Sequence, residues 1–217
     1  MFLIDALLQG ILMGLLFALF ALGLTVIFGV MDIVNFAHGE FLMLGMYTIY
    51  WINKLFGIDP LLALPASTLL GALLGVASYY WFIKYLLRGP AIAQLFGTFG
   101  LMLFLQYTAM FLFSADYRMI DKGLLVGKSL SVGPFVFDWT KLASGILSLI
   151  AFAIVYYFIN KTKTGKAIQA TALNKEAASY MGIKTERMNA IAWAIGGATV
   201  GTAGGLLVNF YYAYPMV

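Results

Sequence analysis

Along this chain the apolar positions fall in long blocks, with none of the period-two alternation of a half-buried strand. Residues 6–30, 61–83, 91–113, 142–159 and 190–217 each run without Asp, Glu, Lys or Arg. Each block is close to the roughly 20 residues a helix needs to cross a hydrocarbon core, so each predicts a spanning helix. A sixth block, residues 41–53, has only 13 residues. At full helical rise it covers about 20 Å of a core about 30 Å thick. The stretch before it, "MDIVNFAHGE" (31–40), must therefore go deeper than its polarity suggests, and it carries Asp32, Asn35, His38, Gly39 and Glu40. If the second helix starts near Ile33, those groups lie at membrane depth; if it starts at Glu40, the preceding residues form a re-entrant or broken segment. In either case they face protein or a wet cavity, because an ionised group in lipid costs at least ~2.5–3.5 kcal/mol.

Composition agrees with this pattern: 63% of residues are hydrophobic and 10% charged, against roughly 45–50% and about 25% in soluble domains. The fold expected is all-α, a polytopic membrane helix bundle with at least six spanning helices, one of them short or broken near 31–40. The whole chain, 1–217, reads as a single transmembrane domain. "MFLID" has an acid where a secretory leader has bases, and a long apolar run follows, so the first helix reads as retained. Cysteine is absent, which excludes disulfides and thiolate metal sites.

The net charge of +4 is concentrated in one place. Lys161, Lys163, Lys166, Lys175, Lys184 and Arg187 outnumber Glu176 and Glu186 there. The positive-inside rule puts this loop, 161–188, in the cytoplasm and the loop 114–141 outside, which explains the basic pI without nucleic acid. The N-terminus then faces outward. Tyr47, Tyr50 and Trp51, Tyr79, Tyr80, Trp81 and Tyr85, and Tyr211, Tyr212 and Tyr214 are expected at helix ends, where amphipathic rings favour the headgroup level. Glycines four apart, Gly10/Gly14, Gly71/Gly75 and Gly197/Gly201/Gly205, predict faces where helix backbones approach closely. The run "GGATVGTAGG" also admits an unwound or path-lining stretch.

The outer loop contains "GLLVGKS" (123–129), but a phosphate-binding loop needs four residues between its glycines and a preceding strand, and here there are three and none. Turns at Gly127 and at Gly133–Pro134 are expected instead. The inner loop, "TKTGKAIQATALNKEAASYMGIKTERMN" (162–189), is too polar for the membrane and too patterned for a linker. Thr164 is expected to cap a turn running through Ala172. Asn174 caps a second, Glu176 sits where the helix dipole favours an acid, and Gly182 ends it. Ala167, Ala170, Ala177 and Ala178 would form a low exposed face, with Ile168, Leu173, Tyr180 and Met181 as apolar anchors. Such a knob suits either a groove on a soluble partner or a bed of anionic headgroups.

The polar stretch has two readings. It lines a translocation route or gate at a helix break, or it is a turn in which Asp32 or Asn35 caps the next helix and His38 bonds Glu40. "DxxNxxHxE" matches no metal-ligand spacing, and no cofactor is expected.

"GLTVIFGVMDIVNFAHGEFLMLGMY" (23–47) and "TKTGKAIQATALNKEAASYMGI" (162–183), taken together, resemble the membrane permeases of branched-chain amino acid ABC importers. They are also similar to urea and amide permeases. The resemblance runs along nearly the whole chain. It implies a second permease subunit, two cytoplasmic ATPase subunits, an external solute-binding protein and a place in a bacterial or archaeal cytoplasmic membrane. It further implies that Glu176, Ala177, Ala178 and Gly182 form the coupling helix that enters the ATPase groove, with Thr164, Gly165 and Asn174 also in the docking region. The usual "I-x-L-P" ending of that motif is absent, a departure that bears on the docking geometry. Relatives usually continue past a sixth span, so the sequence is expected to be C-terminally incomplete. Two other classes remain open at this stage. A secondary transporter or channel would use Asp32, His38 and Glu40 for proton or ion coupling, and an intramembrane enzyme would use His38 and Glu40.

Overall fold

The computed structural model describes the backbone of residues 2–132 and 135–215, with side chains described for 6–129 and 138–215. The expected turn at Gly133–Pro134 lies outside the described residues. Nine α-helices are described: α1 (Phe2–Met31), α2 (His38–Phe56), α3 (Leu64–Ser78), α4 (Lys84–Leu86), α5 (Ala91–Phe113), α6 (Trp139–Lys161), α7 (Lys163–Leu173), α8 (Lys175–Tyr180) and α9 (Thr185–Leu207). A π-helical turn, Tyr79–Ile83, joins α3 to α4. Among the described residues, the spans that are long and apolar enough to cross a membrane are 6–31, 64–86, 91–113, 139–161 and 185–207. The 19-residue α2 runs among them, and residues 32–37 form the break between α1 and α2.

The centre of the bundle is α9. Its glycines let three other helices reach its backbone. A Cβ at Gly197 would run into the Gly71 carbonyl of α3, one at Gly75 into the Trp193 carbonyl, and one at Gly201 into the Ser67 carbonyl. A Cβ at Gly205 would lie 2.5 Å from Ser67 Oγ of α3, and on a second face one at Gly204 would run into the Leu42 carbonyl of α2. On a third face, a Cβ at Gly23 of α1 would lie 2.8 Å from the Gly196 carbonyl. Helices in lipid gain nothing from hiding apolar surface, so close van der Waals approach is what assembles them. Thr68 and Thr202 share a hydrogen bond of 2.7 Å across the α3–α9 contact. Gly10 and Gly14, in contrast, have nothing within 4 Å of a would-be Cβ, so that pair makes no such contact within the described chain.

Several boundaries differ from the sequence expectation. The last helix begins five residues earlier than the apolar block, at Thr185, and ends at Leu207 instead of continuing to 217. Its tail turns back because Ala213 exchanges two backbone hydrogen bonds with Arg118, of 3.0 and 2.8 Å. The loop 114–141 holds an antiparallel hairpin, β1 (Ser129–Val132) with β2 (Phe135–Asp138), which the sequence pattern did not suggest. The turn expected at Gly127 is present, with φ of +74°. Tyr47 and Tyr79 are buried inside the bundle, and Tyr47 stacks on Phe113 at 4.4 Å.

Candidate functional site, a buried polar break and an exposed knob

At the end of α1, Asp32 takes a left-handed conformation, φ +55°, which a short polar side chain tolerates better than most. Its amide closes α1 by donating to the Phe28 carbonyl at 2.8 Å. The next residues are extended enough to alternate: Ile33 and Asn35 point inward, while Asp32, Val34 and Phe36 are exposed. The Asn35 side-chain oxygen accepts from the Ala37 amide at 3.1 Å, and its carbonyl accepts from the His38 amide at 3.3 Å. This side-chain turn redirects the chain into α2. Neither Asp32 nor Asn35 caps α2 in the manner expected, since the residue at the N-cap is Ala37, with no side-chain bond.

His38 opens α2 and is buried. Its Nε2 lies 3.0 Å from the Phe20 carbonyl of α1; a carbonyl only accepts, so Nε2 carries the proton and Nδ1 is left as the acceptor. The His38 ring lies 4.7 Å from that of Phe20. A Cβ at Gly23 would lie 3.1 Å from His38 Cε1 and collide with Thr199 Oγ1 of α9. His38 therefore sits where α1, α2 and α9 converge, and it bonds α1, not Glu40 as the turn reading had it. Glu40, in the first turn of α2, is 4% exposed. Asn35 Nδ2, His38 Nδ1 and Glu40 Oε2 are buried with no hydrogen-bond partner among the described residues. Gly39 is half-buried between them in sequence. The break is also held from α5, where Thr98 Oγ1 donates to the Val34 carbonyl at 3.0 Å.

The knob of α7 and α8 is built by two caps. Thr162, extended at φ −98° and ψ 155°, accepts from the Gly165 amide at 3.0 Å. This corrects the assignment of that cap to Thr164, which already lies within the first turn of α7. Gly165 lets that turn come against the end of α6, because a Cβ there would strike the Phe158 and Ile159 carbonyls. Asn174 accepts from the Ala177 amide at 2.9 Å and starts α8, with Glu176 exposed in its first turn. Gly182, at φ +80°, turns the chain out of α8. Ile183 N then donates to the Ala178 carbonyl at 3.0 Å.

Side-chain directions on the knob differ from the expected smooth alanine face. Ile168 and Ala178 are turned inward, while Leu173, Tyr180 and Met181 are 89, 86 and 83% exposed. Ala177 is exposed, and Ala167 and Ala170 are half-buried. Lys84, in α4, pairs with Glu186 of α9. The site contributions of Phe20, Gly23 and Thr199 carry no local signal in the sequence, since each acts across a helix contact.

The model of the family described as the branched-chain amino acid transport system permease component matches residues 6–217. The high-affinity branched-chain amino acid transport system permease protein LivH of Salmonella typhimurium is 29% identical over 97% of this chain and 72% of its own length. A probable branched-chain amino acid transport permease protein LivH of Methanocaldococcus jannaschii is 32% identical over 88% of this chain and 62% of its own. An autoinducer 2 import system permease protein LsrC of Escherichia coli is 28% identical over 65% of this chain and 40% of its own. No solved structure matches. A helical bundle gathered on a glycine-rich central helix, a buried polar break and a match along almost its whole length place this chain in the branched-chain amino acid permease family.

Proposed function

We propose that this chain is a permease subunit of an ABC importer that moves branched-chain amino acids inward across a bacterial or archaeal cytoplasmic membrane. ATP is hydrolysed by two cytoplasmic ATPase subunits, and the chain itself binds no nucleotide. It works beside a second permease subunit, and an external solute-binding protein delivers the solute.

The observation that carries this reading is the inner knob. Two short helices with side-chain caps hold Leu173, Tyr180 and Met181 outward, each more than four-fifths exposed, next to the exposed Glu176. A loop merely resting on the membrane has no need of two capped helices, whereas a soluble groove closing on an apolar helix face does. In this account Thr164, Gly165, Asn174, Glu176, Ala177, Ala178 and Gly182 build or present the docking face. Asp32, Asn35, His38, Gly39 and Glu40 belong to the path or its gate. Buried polar atoms without partners are costly in a single state, and they support a segment that exchanges partners as access alternates. A proton or ion relay has less support, since no hydrogen bond joins Asp32, His38 and Glu40 among the described residues, and Asp32 faces outward.

Glu176→Arg tests the docking role. The variant should accumulate in the membrane as the unaltered chain does, while the ATPases no longer co-purify and ATP-driven uptake is lost. Co-purification with undiminished uptake would refute the assignment.

A further inference from the structure

Beside the knob, an open cleft of about 520 Å³ is lined by Tyr80 of the π-helical turn, Ser179 of α8, and Lys184, Thr185, Glu186 and Arg187 at the start of α9. Its charged groups belong neither to the docking face nor to the polar break. The exposed Leu173, Tyr180 and Met181 are not among its lining residues, so a partner seated on that apolar face need not fill it.

The spans set the level at which the cleft lies. The apolar span 64–86 ends beside it and the span 185–207 begins in it, and the two are tied there by the ion pair of Lys84 with Glu186. One helix therefore leaves the hydrocarbon where the other enters, which is the depth of the phospholipid headgroups. The aromatic residues suited to that depth are present. Tyr80 lines the cleft, and Trp81 and Tyr85, on the same turn and in α4, are 82 and 60% exposed. Rings with one apolar and one wet end favour the headgroup level.

Charge then decides what the cleft takes. Glu186 is matched by Lys84, whereas Lys184 and Arg187 are exposed and have no ion-pair partner among the described residues. The Arg187 amide donates to the Lys184 carbonyl at 3.0 Å, so the two cations stand one turn apart. A guanidinium presents a planar fork of donors that matches phosphate oxygens.

We propose that this cleft binds the headgroup of an anionic phospholipid. Its phosphodiester lies against Lys184 and Arg187, the Ser179 and Thr185 hydroxyls donate to its oxygens, and its acyl chains lie in the surrounding hydrocarbon. A zwitterionic phospholipid brings an ammonium group that the same two cations repel. Each cation at this level favours an anionic lipid by roughly fivefold. The inference goes beyond the transport reading and does not depend on it, because binding needs neither solute nor ATP. The rival occupant is an acidic segment of a soluble partner on the knob.

The protein, purified from its membrane with its bound subunits and stripped of lipid in neutral detergent, is given equal amounts of phosphatidylglycerol and phosphatidylcholine. Native mass spectrometry counts what it retains. The expected result is phosphatidylglycerol retained severalfold over phosphatidylcholine, with that preference falling at least about fivefold in the double variant Lys184→Gln/Arg187→Gln. Arg187→Gln alone, a change at an exposed position, should lower it by a smaller step. Lys163→Gln/Lys166→Gln, the same change of charge made on α7, should leave it in place. Equal retention of the two lipids, or an equal loss in both double variants, would overturn the site. Displacement of the lipid by inorganic phosphate would assign the cleft to a free anion instead. A preference seen in this chain alone and lost when the ATPases are bound would give the cleft to the soluble partner.

Discussion

Helices α5 and α9 are both 23 residues long and of similar hydropathy, yet α9 is 72% buried across its most apolar window and α5 only 11%. Hydropathy does not separate them. Small residues do: α9 presents glycine toward α1, α2 and α3, whereas α5 presents Phe96, Phe104 and Phe111, all well exposed. In water the more apolar segment would be hidden; in a bilayer either can face lipid, and the helix that goes to the centre is the one whose backbone can be approached. The contrast also separates tasks. A helix packed on three sides can carry a movement from the knob, beside which α9 begins, to the polar break at His38. A helix facing outward is free to meet lipid or another subunit.

Substitutions of glycine should break this contrast most strongly. Gly197→Leu places a side chain in the backbone of α3, and overpacking costs about 1–3 kcal/mol or more when backbone must move. Thermal unfolding in detergent should show a large fall in the midpoint, or the protein should fail to accumulate. Gly100→Leu on α5, with nothing within 4 Å of its Cβ position, should change little. If the two behave alike, close approach is not what centres α9. Next in size is His38→Ala, which removes the bond to the Phe20 carbonyl and should cost about 1–3 kcal/mol. Its effect on uptake should exceed its effect on the midpoint if the break also gates the path. Asn174→Ala removes a cap worth about 1 kcal/mol. It should loosen α8 and reduce ATPase co-purification, with the bundle's own midpoint nearly unchanged. Lys84→Ala, which breaks an ion pair between partly exposed partners, should leave the midpoint where it is.

Much of this architecture is legible along the chain because a spanning helix writes itself as an uninterrupted apolar run. The segments around 6–30, 61–83, 91–113 and 142–159 declare themselves in that way, and the shortness of 41–53 points to the break before it. Ends are less legible. α9 starts in polar residues at Thr185 because a helix can continue past the membrane surface, and apolar composition after Leu207 does not show that Ala213 will pair with Arg118. The local pattern puts the cap on Thr164, two residues past Thr162, since three threonine and glycine positions in "TKTG" offer similar local chemistry. Asn174 and Gly182 were readable because their roles are local: a side-chain bond three residues on and a positive φ. The Phe20 carbonyl and Thr199 were not, since each depends on which helices meet.

The central claim is that the capped knob lies on the inner side of the membrane, where a soluble ATPase grips it. Tyr180→Cys in this cysteine-free chain tests that claim most directly, with an impermeant maleimide applied to intact spheroplasts and to inverted vesicles. The account predicts labelling in the inverted vesicles alone, slowed severalfold when the ATPases are bound. Labelling of intact spheroplasts would place the knob outside and contradict it.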